Sequence, residues 1–236
     1  MVYLRSDEIN KMAKEIIDKY KKYIGVDWEL FKVEPLKLAE MLGCKVRFVD
    51  FGNESDILGF TAFNEISITI SDVNLVELTL ELNDKSVVIN EALKRGCEGR
   101  LNFTIAHELA HHVINEVCDA NYSVKFRQLP HFERTLNRYS LDYDEHLANQ
   151  LAAALLMPED FVNAVFAKLF DCERVERIHS ILDKVKFSKF CAMAALFGVS
   201  KEALAIRLQK KGMLGEYRFA GFESILEIYA DEKTVA

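Results

Sequence analysis

The sequence predicts an α+β protein in which a small sheet precedes a series of helices. Residues 45–90 contain short runs rich in β-branched and aromatic side chains, which are typical of strands. From residue 100 onwards the apolar residues recur every three to four positions, which is the spacing of a helix buried on one face. Because the strand runs come first and the helical runs follow, the pattern favours the α+β class.

In the N-terminal part we predict two helices and five strands. The expected helices cover residues 8–24 and 36–42, and the second is opened by Pro35 and ended by Gly43. The expected strands cover residues 45–50, 58–63, 66–70, 75–82 and 86–90. The last two strands are separated by a short turn that begins with Asn83 and Asp84, so they are predicted to pair as a hairpin.

In the C-terminal part we predict a series of helices. They are expected over residues 101–116, 143–157, 158–170, 174–185, 188–197 and 201–211. The last two are predicted to form a helix-turn-helix pair over residues 188–211, with Gly198 ending the first and Ser200 capping the second. Residues 117–142 are poorly patterned, which is common in functional or mobile segments. We expect a core domain over residues 1–170 and a helical subdomain over residues 171–236.

Composition and charge exclude several classes of protein. Half of the 236 residues are apolar and only 3 are proline, a balance that argues against disorder and low complexity. The net charge is −7, so nucleic acid could bind only at a local basic patch. The longest apolar run, Leu151–Met157, is far shorter than the roughly 20 residues of a membrane helix, so no membrane association is expected.

The start of the chain and its cysteines favour the cytoplasm. Residues 1–12 carry no apolar segment of a signal peptide. The 5 cysteines (Cys44, Cys97, Cys118, Cys172 and Cys191) include no C-x-x-C pair. We therefore expect reduced, mostly buried thiols in a cytoplasmic protein. The sequence gives no prediction of the oligomeric state.

The segment His107-Glu108-Leu109-Ala110-His111 carries the clearest chemical signal. On a helix, residues four apart lie one turn apart on one face, so the two imidazoles could bind a single Zn²⁺ ion. Glu108 lies about 100° around the helix from His107, which suits a general base acting on water better than a third ligand. Leu101, Ile105, Leu109 and Val113 form the opposite stripe, which is predicted to face the core and to leave the histidine face free.

A catalytic zinc site needs a third protein ligand, and Glu145 is the leading candidate. It begins a helical face that continues with Asn149 and with small residues, which would let this helix approach the histidine helix closely. Asn149 is expected to orient one of the ligands by a hydrogen bond. Asp142, Asp144 and His146 are rival third ligands, His112 is expected to be a packing or surface residue rather than a fourth ligand, and no metal role is assigned to His131 or His179. Zinc is the expected ion, although Mn²⁺ and Fe²⁺ accept the same ligands.

These residues resemble the ImmA/IrrE family of zinc metallopeptidases. The resemblance rests on Phe103-Thr104 and Ala106 to Leu109 with His111, on the segment from Glu145 to Pro158 that includes Asn149, and on the Val199–Leu208 segment. It implies His107, His111 and Glu145 as metal ligands and Glu108 as the general base of an endopeptidase. It also implies a protein substrate, a helix-turn-helix repressor whose cleavage releases stress or mobile-element genes.

The chain departs from the family pattern at three places. Asn102 stands where the family often has arginine, Asn115 stands where a further histidine is common, and residues 117–142 are longer than usual. None of these positions belongs to the expected metal ligands, but the long segment bears on substrate choice because it could line the cleft. A second donor for the developing oxyanion is also expected, with Tyr139, Tyr143 and His131 as candidates.

Three alternatives stay open at this point. The basic residues around 188–211 could belong to a DNA-binding regulator, although Leu204, Ile206 and Leu208 predict a largely buried second helix, so direct contact with nucleic acid is not expected. The metal could instead be structural, which would require a fourth protein ligand such as His112, Asp144 or His146. A latent peptidase, active only once residues 117–142 are displaced, is the third alternative.

Overall fold

The computed structural model describes residues 4–26, 32–51, 57–71, 77–118, 124–128 and 138–218. Its helices are α1 (Ser6–Ile24), α2 (Pro35–Met41), α3 (Glu98–Cys118), α4 (Arg138–Leu156), α5 (Glu159–Phe170), α6 (Lys184–Phe197) and α7 (Lys201–Lys210), with a 3₁₀ helix over Glu91–Arg95. Its strands are β1 (Lys45–Val49), β2 (Ile57–Ala62), β3 (Ile66–Ser71), β4 (Glu77–Leu82), β5 (Ser86–Asn90), β6 (Val124–Gln128), β7 (Val175–His179) and β8 (Leu214–Arg218). The predicted α+β class is confirmed.

The main sheet has four strands in the order β1-β5-β2-β6. Strand β5 runs parallel to β1 and antiparallel to β2, and β2 also pairs antiparallel with β6. All five residues of β5 are buried, which is expected of an inner strand covered on both faces. Strand β6 lies within the segment 117–142, which the sequence pattern left without an assigned structure.

The predicted hairpin between residues 75–82 and 86–90 is wrong. Strand β4 pairs with β3 in a separate two-stranded sheet, with Ile66 opposite Leu82, whereas β5 joins the main sheet. The turn between them has Lys85 at a φ of 62°. The short turn passes the chain from one sheet to the other, so proximity in sequence did not set the pairing.

The two faces of the main sheet contact different layers. On β5, Val87 and Ile89 belong to the large core shared with the helices, while Val88 joins a second cluster. That second cluster contains Phe60 of β2 together with Leu80 and Leu82 of β4. Because successive side chains of a strand alternate between faces, β5 is packed by helices on one side and by the β3–β4 sheet on the other.

Helices α3 and α4 form the centre of the large core. Small residues lie along both helices, and Ala106, Ala110, Ala148 and Ala152 are all fully buried. Short side chains let two helix backbones approach closely, as the sequence predicted for the helix that carries Glu145. Helix α1 packs against α4 with a buried stripe that includes Ile9, Ala13, Ile16, Ile17 and Tyr20.

The predicted helix over residues 174–185 is wrong, because residues 175–179 form β7 instead. This strand pairs in parallel with β8, with Val175 opposite Leu214. The apolar residues that suggested a helix divide between two environments, since Ile178 is buried whereas Leu182 is 54 % exposed. Strand β8 completes the pair from a distant part of the chain, so local periodicity gave no sign of it.

The helix-turn-helix pair is confirmed as α6 and α7. Gly198 ends α6 with a left-handed φ of 63°, and the Ser200 hydroxyl accepts a hydrogen bond from the Ala203 amide. Leu204 and Leu208 of α7 are buried in the large core as predicted, but Ile206 is 44 % exposed. The boundary expected at residue 170 stays a prediction. Among the described helices, none combines the length and apolar character that a bilayer crossing requires.

Candidate active site

Helices α3 and α4 bring His107, His111 and Glu145 to one point. The Nε2 atoms of the two histidines lie 3.1 Å apart. One carboxylate oxygen of Glu145 lies 3.1 Å from His107 Nε2, and the other lies 3.1 Å from His111 Nε2. The two imidazole planes are nearly perpendicular, at 87°. Three potential metal-binding atoms therefore converge on one small volume.

The chemistry and spacing of these atoms fit a divalent metal ion. Ligand atoms placed tetrahedrally at 2.0–2.1 Å from zinc are about 3.3–3.4 Å from one another, which is close to the separations here. Two imidazoles with one carboxylate form an accepted set of ligands for zinc and for other first-row divalent ions. Among the residues that the structure describes, these three alone form such a group.

Asn149 holds the ring of His107 in the orientation that a metal ligand needs. Its Oδ1 lies 3.1 Å from His107 Nδ1, one turn along α4 from Glu145. An amide oxygen only accepts hydrogen bonds, so Nδ1 carries the proton and Nε2 keeps its lone pair. The hydrogen-bonding role predicted for Asn149 thus agrees with the geometry.

Glu145 is poised as an anion beside the two rings. Burial alone would raise the pKa of its carboxyl group, but the two imidazoles that lie against its oxygens outweigh burial and hold that pKa well below its ordinary value. A carboxylate that stays ionised at neutral pH is the form that binds a cation. The sequence predicted this acid from its helical position, and the structure places it within reach of both imidazoles.

Both faces of α3 are buried around His107 and His111. The stripe formed by Ile105, Leu109 and Val113 lies in the core, as predicted. The histidine face was expected to be free, yet His107 is fully buried and His111 is 4 % exposed. The reason is that α4 packs directly over that face and brings Glu145 with it.

Glu108 extends to strand β2. Its side chain is fully buried. A Cβ atom placed on Gly59 of β2 would lie 3.4 Å from Glu108 Oε1 and 3.0 Å from the Val88 carbonyl oxygen. The Glu108 carboxyl group thus lies against the backbone of β2, and the closer contact of a Cβ on Gly59 would be with the neighbouring strand β5. Sequence reasoning gave Gly59 no role at the site, although a glycine inside a predicted strand is a known sign of a close approach.

His112 lies in the sheet-facing wall and outside the group of metal-binding atoms. Its Nε2 pairs with the Thr61 hydroxyl of β2, and its ring meets Phe63 edge-on at a centroid distance of 5.0 Å. Burial, with the charge of Lys85, lowers the pKa of His112 to about 4, so the ring is neutral at pH 7. A packing role is in line with the expectation that it is not a ligand.

The rival candidates are separated from the group. His146 is exposed and pairs with Gln150, and Asp144 is no part of the group. The Tyr143 hydroxyl accepts a hydrogen bond from the Leu4 amide at 2.9 Å, which ties the start of α1 to α4. His179 is buried at the end of β7, where its Nδ1 accepts from the Ile181 and Leu182 amides. The side chains of Asp142 and Tyr139, and the whole of His131, lie outside the described residues.

The fold and the site define a class: an α+β protein in which two packed helices present two histidines and a glutamate suited to one divalent ion. Residues 39–209 match the family model Peptidase M78, the IrrE N-terminal-like domain. This match covers well over half of the chain, which therefore belongs to the ImmA/IrrE family of metallopeptidases. The resemblance identified from the motifs is confirmed.

Two further comparisons were made. No curated protein matches the chain. Among solved structures, a Mycobacterium tuberculosis transcriptional regulator aligns at 14 % sequence identity with a TM-score of 0.41. The alignment covers 87 % of this chain and 52 % of that protein, so the present chain corresponds to about half of its length.

Proposed function

We propose that this protein is a zinc-dependent endopeptidase and that its substrate is a helix-turn-helix transcriptional repressor, whose cleavage releases stress or mobile-element genes. The observation that carries the enzymatic part is the convergence of His107, His111 and Glu145. Glu108, the residue that follows His107 on α3, adds a buried carboxyl group to the same turn of the helix. Membership of a metallopeptidase family supports the same reaction class.

In such a reaction, different residues of the chain have different roles. His107, His111 and Glu145 would hold the ion, which supplies Lewis acidity toward water and the peptide carbonyl when it is bound. Asn149 keeps the proton of His107 on Nδ1. Glu108 accepts a proton from the attacking water and delivers it to the leaving amine, which is the task of a general acid-base group.

The ligand count supports a catalytic site over a structural one. Structural zinc sites are closed by four protein ligands, whereas catalytic sites use three and keep one position for water or substrate. Within the described part of the chain the group has three members, and His112 and His146 are engaged elsewhere. This arrangement favours an open coordination position.

The repressor as substrate is inferred from the motif resemblance, and the helix-turn-helix pair of this chain supports a protein contact rather than DNA reading. Leu204 and Leu208 of α7 are buried, and Arg207 donates to Asn10 of α1 at 3.2 Å. Side chains of α7 that are buried or hydrogen-bonded within the protein cannot contact the base edges of DNA.

Cleavage of candidate repressors by the wild-type protein and by Glu108→Gln tests this proposal. The wild type should cut in the presence of zinc and stop when a chelator is added. Glu108→Gln should bind the same amount of zinc but lose turnover by about 10²–10⁴-fold, because the amide cannot take the proton. Metal content measured on both proteins is the control. Undiminished cleavage by Glu108→Gln would remove this residue from the base role.

A further inference from the structure

A large pocket opens between the starts of α3 and α7, beside the metal-binding group. We call it the α3–α7 pocket, and its volume is about 630 Å³. Its apolar floor includes Leu58, Phe103 and Ile206, and its polar wall includes Arg100, Arg207 and Lys210. This volume lies within the range of about 300–1,000 Å³ that is typical of ligand sites in proteins.

The pocket is cationic in a protein that is acidic overall. Three positive side chains line it, and Glu202 is the single acidic residue among the lining residues. The whole chain carries a net charge of −7, so the excess of positive side chains around the pocket is opposite in sign to the charge of the protein as a whole. Arg100 and Lys210 are exposed and form no ion pair with any residue that the structure describes, so their charges are available to a ligand. Arg207 is partly buried and already donates to Asn10 of α1, so it adds positive charge to the wall rather than a free contact.

Two further features add donors to the same wall. The Nε–H of Arg207 is buried and makes no hydrogen bond within the described part of the chain. The N-termini of α3 and α7 meet at the pocket, where a Cβ on Gly99 would lie 2.3 Å from the Ser200 amide nitrogen. The positive end of a helix dipole favours an anion, so the two helix starts add to the charge of Arg100, whereas Arg207 and Lys210 lie in the last turn of α7 and contribute only their own charges.

The pocket adjoins the site of the proposed reaction. Asn149 lines the pocket and also contacts the ring of His107. Thr104 lines it as well, three positions before His107, which corresponds to a rise of about 4.5 Å along α3. Since an extended peptide advances about 3.3 Å per residue, a side chain one or two positions from the scissile bond could enter the pocket.

We propose that the α3–α7 pocket is a specificity site that binds an acidic side chain of the substrate, one or two residues from the bond that is cut. This inference rests on the proposed peptidase function. The cationic wall holds the carboxylate of that side chain, and the apolar floor accepts its methylene groups and a neighbouring apolar residue. Selection of the substrate then depends on charge at one position as well as on access to the metal.

The test uses peptide libraries in which one position at a time is fixed as Asp, Asn or Lys. Cleavage is measured with the full-length wild type, and binding is measured with Glu108→Gln by fluorescence anisotropy. At one position, Asp should be preferred over Asn by about tenfold in kcat/KM and in Kd, as expected for a charge-assisted contact. The preference should shrink as salt is raised, because these cations lie near the surface.

Charge variants assign the preference to the pocket. Arg100→Glu and Lys210→Glu, both at exposed positions, should lose the preference for Asp and gain one for Lys. Glu202→Gln should strengthen the preference for Asp. Lys168→Glu makes the same charge change at an exposed position of α5 that does not line the pocket, and it should behave as the wild type.

The outcomes separate the two proposals. The pocket assignment is overturned if no position of the peptide shows a preference for Asp. It is also overturned if the preference for Asp persists in both Arg100→Glu and Lys210→Glu. In either case, cleavage by the wild type would still support the peptidase function. Charge-dependent binding of acidic peptides by Glu108→Gln, with no cleavage by the wild type, supports the pocket and contradicts the peptidase. Charge-dependent binding of inorganic phosphate without binding of any acidic peptide overturns the inference in favour of a small anion.

Discussion

At the scale of single residues, the protonation of His107 depends on one hydrogen bond. Asn149 Oδ1 selects the tautomer with the proton on Nδ1, which leaves Nε2 facing His111 and Glu145. Without that acceptor the ring would sample both tautomers and other orientations. The metal site therefore depends on an amide that is not itself one of the ligands.

Asn149→Ala should weaken metal binding by about 10–100-fold, which is the usual effect of losing a partner that orients a ligand. Competition with a chromophoric chelator measures the change. Asn149→Asp, which retains an acceptor oxygen at the same place, is the matched control and should keep the affinity much closer to that of the wild type. An alanine variant with unchanged metal affinity would contradict the orienting role of Asn149.

The four cysteines whose side chains the structure describes differ from the expectation of mostly buried thiols. Cys44 is buried, but Cys97 and Cys172 are exposed and Cys191 is partly exposed. Burial raises the pKa of the Cys44 thiol to about 11, so its reactive thiolate is scarce at pH 8. Native alkylation at pH 8, followed by mass spectrometry, should modify Cys97 and Cys172 well before Cys44. Equal labelling of all three in folded protein would contradict this burial pattern.

The central residues of the site could be predicted because helical periodicity alone sets their relation. His107 and His111 share one face of α3 whatever the rest of the fold does, and Glu145 begins the corresponding face of α4. The neighbours contributed by β2 could not be found in this way. Gly59 and Thr61 reach Glu108 and His112 only through the pairing of β2 with β5, which is a long-range feature.

At the scale of secondary-structure elements, the start of α3 is fixed against the start of α7. A Cβ on Gly99 would lie 2.3 Å from the Ser200 nitrogen and 2.4 Å from the Val199 carbonyl carbon. These are backbone atoms, which cannot rotate away as a flexible side chain would. The missing side chain at Gly99 is therefore what allows the helix-turn-helix pair to pack on α3.

Gly99→Ala should destabilise the protein by about 1–3 kcal/mol, the usual cost of overpacking, even though alanine is the better helix former. Urea denaturation followed by circular dichroism measures the loss. Gly96→Ala is the matched control, since its nearest new contact would be the Leu93 carbonyl oxygen at an ordinary 3.6 Å. That control should stay within about 0.5 kcal/mol of the wild type. A neutral effect of Gly99→Ala would mean that the two helix starts separate easily.

Elements were predicted correctly where local signals determine them. The caps at Gly198 and Ser200 lie where the sequence placed them, because the left-handed φ and the hydroxyl acceptor are local requirements. Strand pairing failed where partners are remote. The partner of β4 is β3, and the partner of β7 is β8, which lies beyond both helices of the helix-turn-helix pair. Nothing in the periodicity of β7 distinguishes five strand residues from a short helical stretch.

At the scale of the whole molecule, the chain separates its structural and chemical tasks between layers. The sheet side contributes β2, whose Gly59 lies beside the carboxyl group of Glu108, and the helical side contributes all three members of the metal-binding group found in the described part of the chain. The two ligand-bearing helices are far apart in sequence, with β6 formed between them. An ion bound by both helices would therefore join two distant parts of the chain, in addition to their packing and the hydrogen bond between His107 and Asn149.

Such an ion should stabilise the entire fold, because it binds the native arrangement of α3 and α4 and finds no matching set in the unfolded chain. Free zinc at 100 times its Kd should add about 2.7 kcal/mol, seen as a rise in Tm that a chelator reverses. His111→Ala removes one imidazole of the group and should lose most of this rise. Glu108→Gln, which leaves all three ligands in place, should keep it. An equal zinc-dependent shift in His111→Ala would place the bound ion elsewhere on the molecule, and the metal centre between α3 and α4 would then have no support from stability.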